Sequence, residues 1–312
     1  MDFAQNVFLP HASVTPSSLY FCSLWSVSMF GIYHANTATN NHYIYTERKG
    51  GKGANNVASM LNKFLDDNGL KVEHGGSEMK LTIYADNCGG QNKNNTILKY
   101  LLWLTGANYF KEINLKFFLK GHTKNACDRG FGHVRNKLKR NDAWTLDQLA
   151  HLVDSAASSS KCHNIEGDEF KFLDFKGTLS TIYKDLKSIQ KYHVFQMRSN
   201  RPGIIECRVN PSSQPDAHVL RSKVKSVDRN LTSKLVQVPL PPVNDEKLCE
   251  MFKKIRPHVP PEYSSNELCQ APTDDNMKNA VLRKASRRKR THTQVENEDA
   301  VIVDEEVEVY EL

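Results

Sequence analysis

Paired cysteines are missing from this chain. Cys22, Cys88, Cys127, Cys162, Cys207, Cys249 and Cys269 are scattered, odd in number, and contain no Cys-x-x-Cys pair. That usage argues against a zinc ribbon and a disulfide framework and fits a reducing compartment. Long apolar runs are missing too. No stretch has the length of a membrane span, and the opening MDFAQNVFLPH has neither the basic region nor the apolar segment of a secretory signal. Internal repeats are absent, and no membrane partner or small-molecule cofactor is expected. A complete P-loop is also lacking: GKGANNV (51–57) resembles a phosphate-binding turn ahead of a helix, but the G-x-x-x-x-G-K-[ST] spacing is not there. Nucleotide hydrolysis is therefore not expected. What the chain has in excess is positive charge, a net +7 with pI near 8.9, which favours a polyanionic partner. With 39% hydrophobic and 25% charged residues, the 312 residues suit one large domain with an extension and a polar tail.

Apolar periodicity divides the chain. Residues 1–9, 19–35 and 41–48 are rich in aromatic and β-branched residues and predict strands, the latter two joined by the turn NTATNN. In 50–69, Val57, Met60, Leu61 and Phe64 recur at helical spacing, and Gly69 ends the pattern. Strand 81–85, helix 95–106, strand 113–121, basic helix 128–140 and helix 145–157 follow, with Thr145 as N-cap of the last. Strands first and alternation afterwards predict a mixed sheet with helices packed on it. Beyond residue 158 the signals weaken to a strand and helix in 170–186, small strands in 189–198 and 203–210, and a proline-broken helix in 248–263. After about Ser264 the packing signals stop. Six of the ten residues in 281–290 are Lys or Arg, and 294–312 carries eight acidic residues and no basic one. Both segments are expected to be solvated and disordered. The basic run, Arg283 to Arg290, suits nuclear import or nucleic-acid contact, with a cytoplasmic location otherwise.

Three aspartates stand out by position. Asp2 lies in the first strand, Asp86 ends the strand LTIYA, and Asp128 opens the basic helix. In an RNase H-like sheet the first and fourth strands are neighbours, so these acids would converge. Oxygen ligands suit Mg²⁺ or Mn²⁺, and two such ions serve phosphodiester chemistry. Each acid also has a plain structural reading: a helix cap for Asp86, a first-turn acid for Asp128, an edge-strand residue for Asp2. Asn87, Gln91, Asn92, Lys93 and Asn94 either contact phosphate and sugar or satisfy one another and the turn backbone. His122 either orients a water or scissile phosphate or is structural, and Lys124 is a candidate phosphate contact. Arg129, Arg135, Lys137, Lys139 and Arg140 form either a phosphate-binding helix or a solvated face. Cys88, His122, Cys127 and His133 can be assembled into a zinc site on paper but lack paired spacing.

The blocks FAQNVFLPH, LYF, FGIY, GKGANNV, ADNCGGQNKN, LKGHTKNACDRGFG and YHVF, in that order, resemble a family of transposon-derived proteins whose domain is of unknown function. The shared signatures are D-N-C-x-G-Q-N-K-N and G-H-T-K-x-x-x-D-x-x-F, and the likeness covers about residues 1–210. The family looks like an RNase H-like nuclease of the integrase/transposase superfamily. The resemblance implies an α/β, RNase H-like mixed five-stranded sheet flanked by helices, with Asp2, Asp86 and Asp128 as metal ligands and catalytic acids. His122 joins them as a catalytic candidate, with DNA as partner. The expected divisions are a domain over 1–210, a poorly defined extension with a short helix over 211–263, and a disordered basic-then-acidic tail over 264–312. The resemblance implies a full strand leading into Asp2 and an upstream DNA-recognition module, so a chain that starts at Met1-Asp2 is expected to be either a truncated form or a transposon remnant. A transposon remnant that binds nucleic acid or acts as a scaffold without cleaving is therefore the alternative expectation.

Overall fold

The computed structural model describes residues 1–14, 21–71, 78–118, 125–221 and 227–286. It is a mixed α/β structure. The long strand β3 (Trp25–His34) organises its first half. Its residues alternate: Trp25, Val27 and Met29 face one hydrophobic cluster, Phe30 and Ile32 the other, as a strand buried on both faces requires. Along one side it pairs antiparallel with β4 (Thr39–Thr46) from Val27↔Thr46 to His34↔Thr39. Along the other run two short strands, β1 (Asp2–Phe3) and β2 (Val7–Leu9). Asp2 lies opposite Gly31 and Val7 opposite Val27, so Ala4, Gln5 and Asn6 face only Ser28 and Met29. This β-bulge bends the edge away from the sheet just after Asp2.

Helix α1 (Ala54–Asp67) packs on the Phe30 face through Val57, Leu61, Phe64 and Leu65. β5 (Lys80–Ala85) and β6 (Glu112–Phe117) are parallel, joined across α2 (Asn95–Gly106). Every residue of α2 from Thr96 to Thr105 is buried, which explains its near-continuous apolar sequence. On the opposite face of β3 sit α3 (Ala126–Leu138) and α4 (Leu146–Asp154), holding Cys127, Phe131, Val134, Leu138 and Leu149 against Trp25, Val27 and Met29. β7 (Ser160–Asn164) then adds in parallel to β4. After the short α5 (Phe175–Ser180), strands β8 (Val194–Arg198), β9 (Ile204–Arg208) and β10 (Asp216–Val219) extend the second sheet antiparallel from β6.

The expected single five-stranded sheet is thus realised as two five-stranded mixed sheets, ordered β1-β3-β4-β7, with β2 also on β3, and β10-β9-β8-β6-β5. They adjoin where the Met1 backbone nitrogen donates to the Tyr84 carbonyl at 2.8 Å, so β1 lies beside β5 as the sequence predicts for the first and fourth strands. Thr145 caps α4 as expected, accepting from the Gln148 N–H. β7 and β10 carry no apolar alternation to announce them: SKCHN is an edge strand and DAHV is largely exposed. The strand expected within 170–186 does not form.

The packed chain also runs past Ser264. α6 (Asp245–Glu250) continues into a π-helical turn, Met251–Ile255, whose apolar residues join Val259, Leu268 and Cys269 on the Trp25 face. The Trp25 indole Nε1 donates to the Leu268 carbonyl at 2.8 Å. Residues 274–286 are helical, and Arg283 pairs with Asp245 at 3.5 Å, so the first part of the basic run is not the disordered tail the sequence suggests. Irregularly spaced apolar residues cover a sheet face here, and periodicity cannot report them. Residues 287–312, including Arg287 to Arg290 and the acidic end, lie outside the described residues.

Candidate functional site

Cross-strand partners share a sheet face, so Asp2, opposite Gly31, faces α3. Gly31 sets how near that helix comes. A Cβ built on Gly31 would stand 2.6 Å from the Phe131 ring, and one built on Gly130 would stand 2.8 Å from the Asn40 side chain. Two glycines therefore let α3 lie close on the sheet. Asp128 precedes Phe131 by one helical turn, so this approach carries its carboxylate toward Asp2. Asp86 arrives from the other side, just beyond the end of β5, the strand that adjoins β1.

Asp2 feels the other two acids. The Asp2 carboxyl is pushed up to about 6, first by burial, then by the negative charge of Asp86, and to a smaller extent by Asp128, against the Phe3 N–H that donates to Oδ1 at 2.7 Å. Like charges raise a carboxylate's pKa only when they stand near it with too little compensation. Among the described residues, no three Asp, Glu, His or Cys side chains close tightly enough to hold a metal ion as they stand. The donor set is all oxygen, with Asp2 and Asp86 half-buried and Asp128 exposed, and oxygen donors are what hard divalent cations accept.

The plain structural readings separate. Asp86 is no cap: Asn94 caps α2, accepting from the Ile97 N–H at 3.1 Å. Asp128 does serve a capping box, Oδ2 accepting from the Asn125 N–H at 2.9 Å, so it has a local duty besides facing Asp2.

A family model described as Domain of unknown function (DUF7869) matches residues 26–214, more than half of the chain. The chain belongs to the DUF7869 family. No curated protein and no solved structure matches it. The DUF7869 match takes in Asp86, Asp128 and all of α3, while Asp2 and β1 precede it.

Within the DUF7869 span the amide-rich loop 86–95 is largely closed on itself. Asn92 Nδ2 donates to Asp86 Oδ1 at 2.5 Å, and Lys93 Nζ donates to Asn87 Oδ1 at 3.0 Å and to the Gln190 carbonyl at 3.2 Å. The Cys88 carbonyl accepts from the N–H groups of Gln91, Asn92 and Lys93. Asn92 and Lys93 are buried, and burial lowers the lysine's pKa, so neither is available to a nucleic acid as expected from sequence. They hold Asp86 and the turn. Asn87 is exposed but gives its amide to the Phe118 carbonyl, and Gln91 is half-exposed.

Helix α3 is the reverse case. Arg129, Arg135, Lys139 and Arg140 are exposed and Lys137 is half-buried, and none forms a salt bridge among the described residues. Arg135 and Lys139 follow Asp128 at helical spacing along one stripe. His122 and Lys124 lie outside the described residues. The zinc set of Cys88, His122, Cys127 and His133 gains no support, since Cys127 is buried with Sγ 3.6 Å from the Gly31 carbonyl and His133 is exposed.

Sequence reasoning singled out the GKGANNV block but not Lys52 as a member of the acidic site. Lys52 Nζ donates to the Ala4 carbonyl at 3.1 Å and sits 5.0 Å from the Phe3 ring centroid. Burial lowers its pKa and the charge of Asp2 raises it, so it is a cation beside Asp2, as is the Met1 ammonium. Its signal was the same resemblance block, read as a phosphate turn rather than as a neighbour of Asp2.

Proposed function

We propose that this chain is a metal-dependent nuclease or strand-transfer domain of transposase origin acting on DNA phosphodiesters. Asp2, Asp86 and Asp128 would hold Mg²⁺ or Mn²⁺, and such an ion, when bound, activates water and neutralises the departing oxygen. One observation supports this reading: carboxylates from β1, the end of β5 and the first turn of α3 come near enough together that Asp86 and, less strongly, Asp128 add to the burial that raises the Asp2 pKa. Their mutual repulsion is what a divalent cation relieves. Asn92 fixes the Asp86 carboxylate, Lys52 offers its ammonium to a phosphate oxygen, and the exposed bases of α3 hold the flanking backbone. The basic run Arg283 to Arg290 supports a nuclear location.

The test is Mn²⁺ calorimetry on the wild-type chain and Asp86→Ala, followed by nicking of supercoiled plasmid in Mg²⁺. Binding and nicking are expected in the wild type and lost in the variant. Nicking that persists in Asp86→Ala overturns the reading.

A second reading rests on the open spacing of the acids, which do not close on a common point. It is a domesticated nucleic-acid-binding or scaffold protein without cleavage. It requires salt-sensitive DNA binding that is indifferent both to Asp86→Asn and to chelator.

A further inference from the structure

The two sheets are covered differently. Ile83, Ala85, Leu115, Phe195 and Cys207 point into the cluster that also holds Phe30 of β3. Strand alternation turns the residues between them to the other side. That is the side of Gly31 and Asp2, where α3 and α4 cover β3 and β4. Over β5, β6, β8 and β9 this cover stops. Tyr84, Phe118, Val194 and Ile204 belong to neither hydrophobic cluster, and Tyr84 is 49% exposed. Cross-strand register sets Tyr84 beside Lys116, Lys116 beside Val194, and Val194 beside Arg208. At roughly 4.8 Å per strand this row is about 14 Å long. It starts at the carboxylates: Tyr84 is two residues before Asp86, and its carbonyl accepts from the Met1 nitrogen, next to Asp2. The Phe118 ring stacks beside the Tyr84 ring with centroids 6.0 Å apart, and Lys116 Nζ lies 5.6 Å from the Tyr84 centroid.

Charge selects the occupant. The acids on these strands, Glu112 and Glu206, are neutralised by Arg198, with Arg201 as a second partner of Glu206. Lys116 and Arg208 form no salt bridge among the described residues, and Arg208 donates to the Gln196 amide oxygen at 3.5 Å. The charge left over along the row is therefore positive. A nucleic-acid strand with unpaired bases offers both partners that the row needs, a flat base face for the ring and phosphates for the cations. An open sheet face bearing aromatic rings is a platform on which such bases stack. A duplex keeps its base faces inside, and an acidic peptide would satisfy the cations while leaving the ring in water.

We propose that the open face of the second sheet binds a single-stranded DNA segment, with a base on Tyr84 and phosphates on Lys116 and Arg208, and so leads the strand across β6, β8 and β9 to the carboxylates. The delivery rests on the nuclease reading above; the binding does not.

The test is fluorescence anisotropy of the full chain with a labelled oligothymidine and with a labelled duplex of the same length, both in EDTA so that no cleavage occurs. Tyr84→Thr keeps a residue that suits an exposed strand position. It is expected to weaken oligothymidine binding about tenfold and to leave duplex binding unchanged. Tyr84→Phe, which keeps the ring, is expected to bind as the wild type does. Lys116→Gln with Arg208→Gln probes the row without touching the ring. The slope of log Kd against log salt for oligothymidine is expected to fall by about 1.4, at roughly 0.7 for each single-strand phosphate. Oligothymidine binding unaltered in Tyr84→Thr, an equal loss for both probes, or an unchanged salt slope in the double variant overturns the proposal. A peptide copying residues 294–312 that binds through Lys116 and Arg208, with oligothymidine indifferent to them, assigns the face to the acidic end of the chain and also overturns it. Because these measurements exclude metal, they fail or succeed independently of the Asp86→Ala nicking assay.

Discussion

Two polar regions of this molecule, the loop 86–95 and the outer face of α3, look alike as sequence and behave oppositely as structure. Both are crowded with Asn, Lys or Arg, and both read as nucleic-acid contacts. In the loop, Asn92 and Lys93 are buried, and their hydrogen bonds end on Asp86, Asn87 and the Gln190 carbonyl. On α3 the side chains of Arg129, Arg135, Lys139 and Arg140 reach water and form no salt bridge among the described residues. Polar composition therefore does not identify a binding surface. What identifies one is whether the polar groups have already found their partners inside the fold.

Substitution separates the two regions. The largest stability effect belongs to the loop. Asn92→Ala removes the buried amide that holds Asp86 and is expected to cost about 2–3 kcal/mol in urea unfolding, as for a buried polar group losing its partner. DNA affinity of the folded variant should hardly change. An affinity loss without a stability loss would reverse the comparison.

Next comes the close approach that brings α3 to the sheet. Gly31→Val places methyl groups into the Phe131 ring and should cost about 1–3 kcal/mol by overpacking. It should also lower the Asp2 pKa, because Asp128 moves away. Carboxyl titration followed by NMR checks both parts of that statement.

A smaller effect tests the acids themselves. Asp2 has a folded pKa of about 6, above the roughly 3.9 of an unfolded aspartate. The folded state therefore keeps its proton longer than the unfolded state. Stability from this group falls as pH rises through about 4 to about 6 and stays lower above that window. Asp2→Asn removes the penalty, so its unfolding temperature should exceed that of the wild type at pH 7.5 by more than at pH 4. Mn²⁺ should narrow the gap at pH 7.5 if the carboxylates share an ion. A pH-independent difference would mean that neither burial nor Asp86 raises the Asp2 pKa.

The smallest stability effect is expected on α3. Arg135→Glu with Lys139→Glu should change unfolding by no more than about 0.5 kcal/mol, as exposed substitutions do. The same pair should reduce the salt dependence of DNA binding by a slope of about two, one for each phosphate that the helix no longer neutralises. A large stability loss would mean that the helix face is structural after all.

Much of the framework was legible beforehand. α2 spans Asn95–Gly106 as its apolar pattern predicts, Thr145 caps α4, and Asp86 stands beyond the end of a strand, which is buried on one face only and not throughout as expected. β7 and β10 were not legible, because an exposed edge strand such as SKCHN needs no apolar alternation. Nor was the packing of Leu268 and Cys269 on the Trp25 face, where a few isolated apolar residues cover a sheet without any period. In the candidate site, Asp2, Asp86 and Asp128 were singled out from position and family likeness. Lys52 was missed because its partner atoms, the Ala4 carbonyl and the Asp2 charge, lie far back in the chain.

Residue order alone settles the main helices and the apolar strands, the Thr145 cap of α4, and which carboxylates stand at element ends. These follow from periodicity and from hydrogen bonds between near neighbours. Packing in three dimensions was needed to settle that Lys93 is engaged inside the loop, that two glycines admit α3 to the sheet, and that Lys52 stands beside Asp2. Those outcomes depend on atoms brought together across tens of residues or more, such as Gln190 against Lys93 and Phe131 against Gly31. A local pattern holds no record of which distant partner will satisfy a buried group.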